Sequence, residues 1–391
     1  LRVGGNTELE TLSAFAQRAD APGELRAEAL ATLGSWPSPS VTDRVDGRYR
    51  GKVERDAGPV IAKVGPHVGS LLQSTDASVV IAASELVREL GIRDYNEQLV
   101  TILQRHKSPE VRAAMVQSLY GLKYEGLESV IKRGMEDSDE AVRTTALSLL
   151  NEVDVSKESL PGIVDPIFRR GTLQEQQELL RVLGAMDLKK SGDVLEGLVD
   201  RAIGKGLSPG LTLDLLEAVD STRSDNLIAK AAPLRSTGTT GVEAFRETLF
   251  GGNARRGRIF FMRNETAQCA RCHTVGDRGA EVGPPLTTIG AKLSREQLLE
   301  ALVEPGTRIS PGYGTVTLTL TDGQTVSGTL MEERKDQLIL KTSDAEPMVV
   351  PIARIVKREN LPSSMPPMGT LMTKRELRDM IEFLSSLKEE Q

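Results

Sequence analysis

The chain has 391 residues, enough for two or three domains. Its 39% hydrophobic and 27% charged content is that of an ordinary globular protein, and a formal charge of −6 gives no electrostatic support to a general nucleic-acid role. No apolar run approaches the length of a membrane span, and 3% aromatics suit Ala/Leu/Val-packed helices better than a sandwich or propeller.

Residues 9–250 read as helical repeats. Glu24-Leu25-Arg26-Ala27-Glu28-Ala29-Leu30 is one helix. Ser108-Pro109-Glu110-Val111-Arg112 opens another, and Ser138-Asp139-Glu140-Ala141-Val142-Arg143 a third. Val111 and Val142 are 31 positions apart, and Val79 lies 32 before Val111. That period is of HEAT type, in which a helical pair cannot bury its own apolar face and stacks on the next. The Val-Arg arginines are expected to be solvated or paired with carboxylates. Two segments interrupt the pattern. Ser35-Trp36-Pro37-Ser38-Pro39-Ser40 and the polar run to Gly51 form a long loop holding the only tryptophan, and Pro233 to Gly241 is linker-like. A boundary there separates a repeat region, 1–240, from a C-terminal domain, 241–391. His67 and His106 fall in the repeats, where surface or helix-packing roles are expected.

The chemistry is concentrated in Cys269-Ala270-Arg271-Cys272-His273. Both cysteines of the chain lie in this window, and C-x-x-C-H is the attachment pattern for c-type haem. One helical turn puts the two thiols on one side, each able to add to a haem vinyl group. His273 then offers its imidazole to the iron. A structural zinc site would need further ligands, and the other two histidines are remote. A thioredoxin-like pair would need a preceding buried strand, whereas Arg258-Ile259-Phe260-Phe261-Met262 reads as a short amphipathic helix.

Beyond the motif the pattern changes to period two. Thr315 to Leu320 and Thr325 to Leu330 flank Thr321-Asp322-Gly323-Gln324, a hairpin turn in which Asp-Gly supplies the positive φ values. Gln337 to Lys341 and Pro347 to Ile352 read as two more strands, so about 313–356 is a small antiparallel unit. A rigid spacer or haem lid is the simpler role for it, a docking surface the alternative. The segment Leu361-Pro362-Ser363-Ser364-Met365-Pro366-Pro367-Met368-Gly369 follows, offering Met365 and Met368 as thioether ligands on a proline-stiffened loop. Thr373-Lys374-Arg375-Glu376 is a capping box, and Leu377, Met380, Ile381, Leu384 and Leu387 make one apolar helix face.

On these residues the stretch from about Asn253 to Lys388 resembles a class I cytochrome c. Gly257 and Phe261 match that family's small and aromatic positions where the first and last helices cross. Gly283-Pro284-Pro285-Leu286 is similar to its G-P-x-L loop, implying that the Pro284 carbonyl takes the Nδ1 proton of His273. Ser364-Met365-Pro366 is similar to its M-P loop, which favours Met365 as the distal ligand over Met368. His273 and Met365 are 92 positions apart, more than a compact cytochrome c uses, and the β unit is the excess. So interrupted, the chain resembles the PVC-type haem-binding CxxCH proteins, whose haem domain follows helical repeats.

The expected fold is therefore mainly α: a HEAT-like α-solenoid, then a class I cytochrome c-like helical domain with a small antiparallel β insertion. The expected function is electron transfer by one covalent haem c. It would be held by Cys269, Cys272, His273, Pro284 and Met365, without a substrate site of its own. The expected partner is a redox protein or an upstream dehydrogenase domain, and the repeats could add a protein partner. Two other readings stand beside it: a haem sensor or peroxidase-like enzyme with an open distal site, and a repeat-mediated binding scaffold with accessory haem. Haem attachment of this type implies a periplasmic or exported protein. The start, Leu1-Arg2-Val3-Gly4-Gly5, has no apolar leader region, which is expected of a mature or excised portion of a longer polypeptide.

Overall fold

The computed structural model describes residues 5–43, 46–308 and 310–389. Residues 1–4, part of the start read above for a leader, lie outside the described residues. The chain is mainly helical and divides into two compact units, Leu1–Val194 and Leu195–Gln391.

The first unit contains α1 (Asn6–Gln17), α2 (Gly23–Gly34), α3 (Gly58–Leu71), α4 (Ala77–Leu90), α5 (Asn96–Arg105), α6 (Pro109–Gly121), α7 (Leu127–Met135), α8 (Glu140–Leu149), α9 (Leu160–Arg170) and α10 (Leu173–Ala185). The even helices stack in sequence, α2 on α4, α4 on α6, α6 on α8 and α8 on α10, and α1–α3 and α7–α9 pack alongside. Local chemistry sets the repeat. Asp76, Ser108, Asp139 and Thr172 each cap the helix that follows through a side-chain oxygen, at spacings of 32, 31 and 33. The Val-Arg arginines are buried and paired. Arg112 binds both oxygens of Asp137 at 2.8 and 2.7 Å and donates to the His106 and Lys107 carbonyls. Arg143 repeats this one period on, with Glu175 at 2.8 and 2.9 Å and the carbonyls of Asp137 and Ser138. Each arginine thus ties its own loop to the next repeat. The long loop after α2 is pinned by buried Trp36, over which the Arg55 guanidinium stacks at 4.9 Å.

The division between the units falls within α11 (Leu188–Ile203), so the linker-like run 233–241 lies inside the second unit. That unit continues with α12 (Thr212–Ser221), α13 (Asp225–Lys230), α14 (Ala254–Arg263), α15 (Ile289–Lys292), α16 (Arg295–Val303) and α17 (Lys374–Ser386). All five expected apolar positions of the C-terminal helix, Leu377 to Leu387, are buried, and the Thr373–Glu376 capping box is formed. α17 packs on α14, α15 and α16.

Between α16 and α17 lies an antiparallel sheet of β1 (Thr315–Leu320), β2 (Thr325–Glu333), β3 (Gln337–Lys341), β4 (Met348–Pro351) and β5 (Ile355–Asn360), in the order β4-β3-β2-β1-β5. Two sequence expectations need correction. β5 is a fifth strand not anticipated, returning to pair with β1. The β1–β2 turn also has only one positive φ, Gly323 at 84°. The Gly323 amide bonds to the Leu320 carbonyl and the Leu320 amide to the Gln324 carbonyl, as in a longer loop closed by a left-handed glycine. The sheet has its own apolar cluster of Val316, Leu318, Leu320, Leu330, Leu338, Leu340 and Val350. Bulges at Thr319/Leu320 and Leu330/Glu332 increase its coiling, which helps one face enclose that cluster.

Candidate functional site

The site is built on the crossing of α14 and α17. Asn253 caps α14, and its own amide donates to Asp379 of α17 at 2.7 Å. A Cβ on Gly257 would stand 2.1 Å from the Asp379 carbonyl oxygen, so only glycine allows this approach. One turn on, Phe261 meets Phe383 with ring centroids 5.7 Å apart and a tilt of 59°. After α14, the Asn264 side chain accepts from the Thr266 and Ala267 amides and turns the chain, and Gln268 takes a left-handed φ of 47°.

This turn delivers Cys269–Arg271 as a single 3-10 turn. The Cys272 and His273 amides both bond back to the Cys269 carbonyl, at 3.1 and 3.0 Å. The chain beyond folds over the motif. Ala280 donates to the Ala270 carbonyl, Gly283 to that of Cys272 and Leu286 to that of Thr274. A Cβ on Gly279 would stand 2.1 Å from the His273 carbonyl oxygen, and one on Gly283 would stand 2.7 Å from the imidazole Cε1. Two glycines therefore fix the backbone close around one histidine.

The imidazole of His273 is oriented by Pro284. Its Nδ1 lies 2.8 Å from the Pro284 carbonyl oxygen. A carbonyl can only accept, so Nδ1 carries a proton, and in the neutral imidazole the lone pair that a metal would take is then on Nε2. The two thiols differ. Cys272 is exposed, while Cys269 packs against the α14–α17 core. Burial pushes the Cys269 thiol up to about 11, with the neighbouring Cys272 adding to the effect. Both are free thiols.

The two methionines also separate. Met365 is half-buried and packs against the same apolar cluster as Cys269, Ala270, Val275 and Leu286. Met368 lies inside that cluster at 3% exposure, and its carbonyl receives the Leu371 and Met372 amides. Met368 is thus a core side chain at a turn, and Met365 is the more accessible thioether. His67 is exposed, and His106 accepts the Ser108 amide through Nδ1 at 3.1 Å, a loop-closing role. Gly279 and the core position of Cys269 were not singled out in the sequence. The glycine-rich run Gly276 to Gly283 was the available signal.

The HEAT-repeat family matches residues 96–168, the span from α5 into α9, so this part of the chain consists of HEAT repeats. No curated protein matches the chain. Among solved structures, the crystal structure of Kap121p bound to Ste12p is similar at 14% identity, covering 71% of this chain and 28% of that chain with a TM-score of 0.39. A likeness that slight says nothing of function. Among the described residues no helix is long and apolar enough to cross a membrane, and no three His, Cys, Asp or Glu residues gather as a metal-holding group. A haem iron needs no such group, since the porphyrin supplies four of its ligands.

Proposed function

We propose that this chain carries one covalent haem c and transfers electrons through it. The observation that carries the reading is the bond from His273 Nδ1 to the Pro284 carbonyl. It orients the imidazole that directly follows two free cysteines in the chain. The residues present fit the group. Cys269 and Cys272 would hold it through thioethers, His273 would be the proximal ligand, and Met365 the distal one. When bound, the haem supplies a one-electron couple. Around it, Pro284 would fix the orientation of the imidazole, and the α14–α17 core packs beside Cys269 and Met365. A thioether ligand favours ferrous iron and so raises the potential. This reading places the mature protein in the periplasm or outside the cell, with a redox protein or an upstream dehydrogenase domain as its electron donor or acceptor. The HEAT repeats are then the scaffold that presents the haem module.

The test is optical spectroscopy of protein matured with c-type haem machinery. Wild type is expected to be low-spin with a sulfur-to-iron charge-transfer band. Met365→Ala should abolish the band. Met368→Ala should keep it while destabilising the fold by ~2–5 kcal/mol, the range for truncating a buried methionine. A wild-type protein that takes up haem but is high-spin and binds carbon monoxide readily would instead favour a sensor or peroxidase-like enzyme. Failure to take up covalent haem would end the proposal.

A further inference from the structure

α17 carries three basic residues in its first two turns, Lys374, Arg375 and Arg378. Positive charge there opposes the helix dipole, so the sequence places it against local preference. All three are answered by acids from chain segments far upstream. Arg378 and Asp214, each 1% exposed, form an ion pair inside the second unit. The Arg378 Nε has no partner among the described residues, which leaves Asp214 as its main compensation. Arg375 reaches Asp214 at 3.2 Å and, through Nε, Glu217 at 2.6 Å. Lys374 pairs with Glu247. Asp214 sits in the first turn of α12, where the dipole favours a carboxylate. The backbones close around the pair. A Cβ on Gly251 would lie 2.1 Å from the Gly210 carbonyl oxygen, and one on Gly252 would lie 2.2 Å from that of Arg378.

The methionine loop runs directly into this anchor. Met368 opens a 3-10 turn, Met372 bonds back to the Met368 carbonyl at 2.9 Å, and Thr373 caps α17. Only five positions separate Met368 from that cap.

We propose that Asp214 is a positioning residue for the methionine loop: through Arg378 and Arg375 it fixes the start of α17 and thereby the placement of Met365. The consequence at iron rests on the haem reading above. The placement itself does not, because it can be read on the chain with or without haem.

The experiment is hydrogen exchange on the full chain, comparing wild type with Asp214→Asn and Asp214→Glu. In Asp214→Asn the Leu371 and Met372 amides should exchange about tenfold faster, within the usual range of coupling between sites. The sheet amides of Val316 and Leu340 should be unchanged, and Asp214→Glu should return exchange toward wild type. In haem-loaded protein Asp214→Asn should also lose the sulfur-to-iron band at a lower pH than wild type. No change at Leu371 and Met372, or an equal rise across loop and sheet, overturns the proposal. Should Asp214→Asn fail to fold, the double variant Asp214→Leu with Arg378→Met removes both charges together. A rise confined to the loop then supports the role, and unchanged exchange refutes it. A chain that never binds haem but shows the confined rise refutes only the haem reading.

Discussion

The two thiols of one five-residue motif meet different surroundings, and their chemistry should differ. Burial against the core raises the Cys269 thiol to about 11, whereas Cys272 faces solvent. Only the thiolate is nucleophilic, so at pH 8 a haem-free chain should be alkylated by iodoacetamide at Cys272 well before Cys269. Peptide mass spectrometry over a time course reads this directly, and equal rates at the two sites would contradict the assigned burial. Gly257 gives a second test at this scale. Its missing Cβ is what lets α14 lie against the Asp379 carbonyl. Gly257→Ala should lower stability by about 1–3 kcal/mol in urea melts, the usual penalty for overpacking a closed contact. A neutral result would mean that the two helices are not in close contact there.

At the level of elements, the repeats are joined by buried ion pairs, Arg112–Asp137 and Arg143–Glu175. For both acids burial is the largest single influence and would raise the pKa, but the arginine hydrogen bonds, a backbone amide and the arginine charge together outweigh it and the net direction is down. A carboxylate held below its unfolded value stabilises the fold above that value. The contribution is lost as pH falls through the lower, folded one. Denaturant-derived stability should therefore decline from about pH 4.5 downward as these two acids protonate. Arg143→Ala should cost about 3–5 kcal/mol at pH 7, because it strands Glu175 without its partner. At low pH, where Glu175 is neutral, that penalty should shrink. A penalty independent of pH would mean that the arginine acts by packing alone. Much of this was legible in sequence, since cap, Val-Arg pair and period are all local signals. The contact between His273 and the Gly-Pro loop was legible for the same reason, since each lies in a short run of fixed spacing. β5 was not legible. Lys357-Arg358-Glu359 hides any alternation on an exposed edge strand, and its partner β1 lies some 40 residues earlier. Nor was the Asp214–Arg378 pair, whose members are 164 positions apart and carry no local motif.

For the molecule as a whole, this pair changes where the C-terminal unit begins. The linker-like composition of Pro233 to Gly241 marks a boundary by local criteria, yet the compact unit that holds Cys269 starts at Leu195. Composition reports where the backbone is easily bent, whereas a folding unit ends where few contacts cross. Here α12 contributes Asp214 and Glu217 to α17, and the Gly210 turn abuts Gly251. A fragment of residues 241–391 would leave Arg378 buried with no carboxylate, a defect costing several kcal/mol in a unit of ordinary stability. A fragment of residues 187–391 keeps both acids and begins at Asp187, whose side chain accepts the Lys189 amide at the start of α11. The longer fragment should show a single cooperative melt. The shorter should melt at least 5 °C lower, by about 2–4 °C per kcal/mol in a domain of this size, or fail to fold. Arg378→Met in the shorter fragment should recover part of the loss, because it removes the stranded charge rather than restoring its partner. Equal melting of the two fragments would place the boundary back at the linker and reduce the contribution of α12 to that of a neighbour.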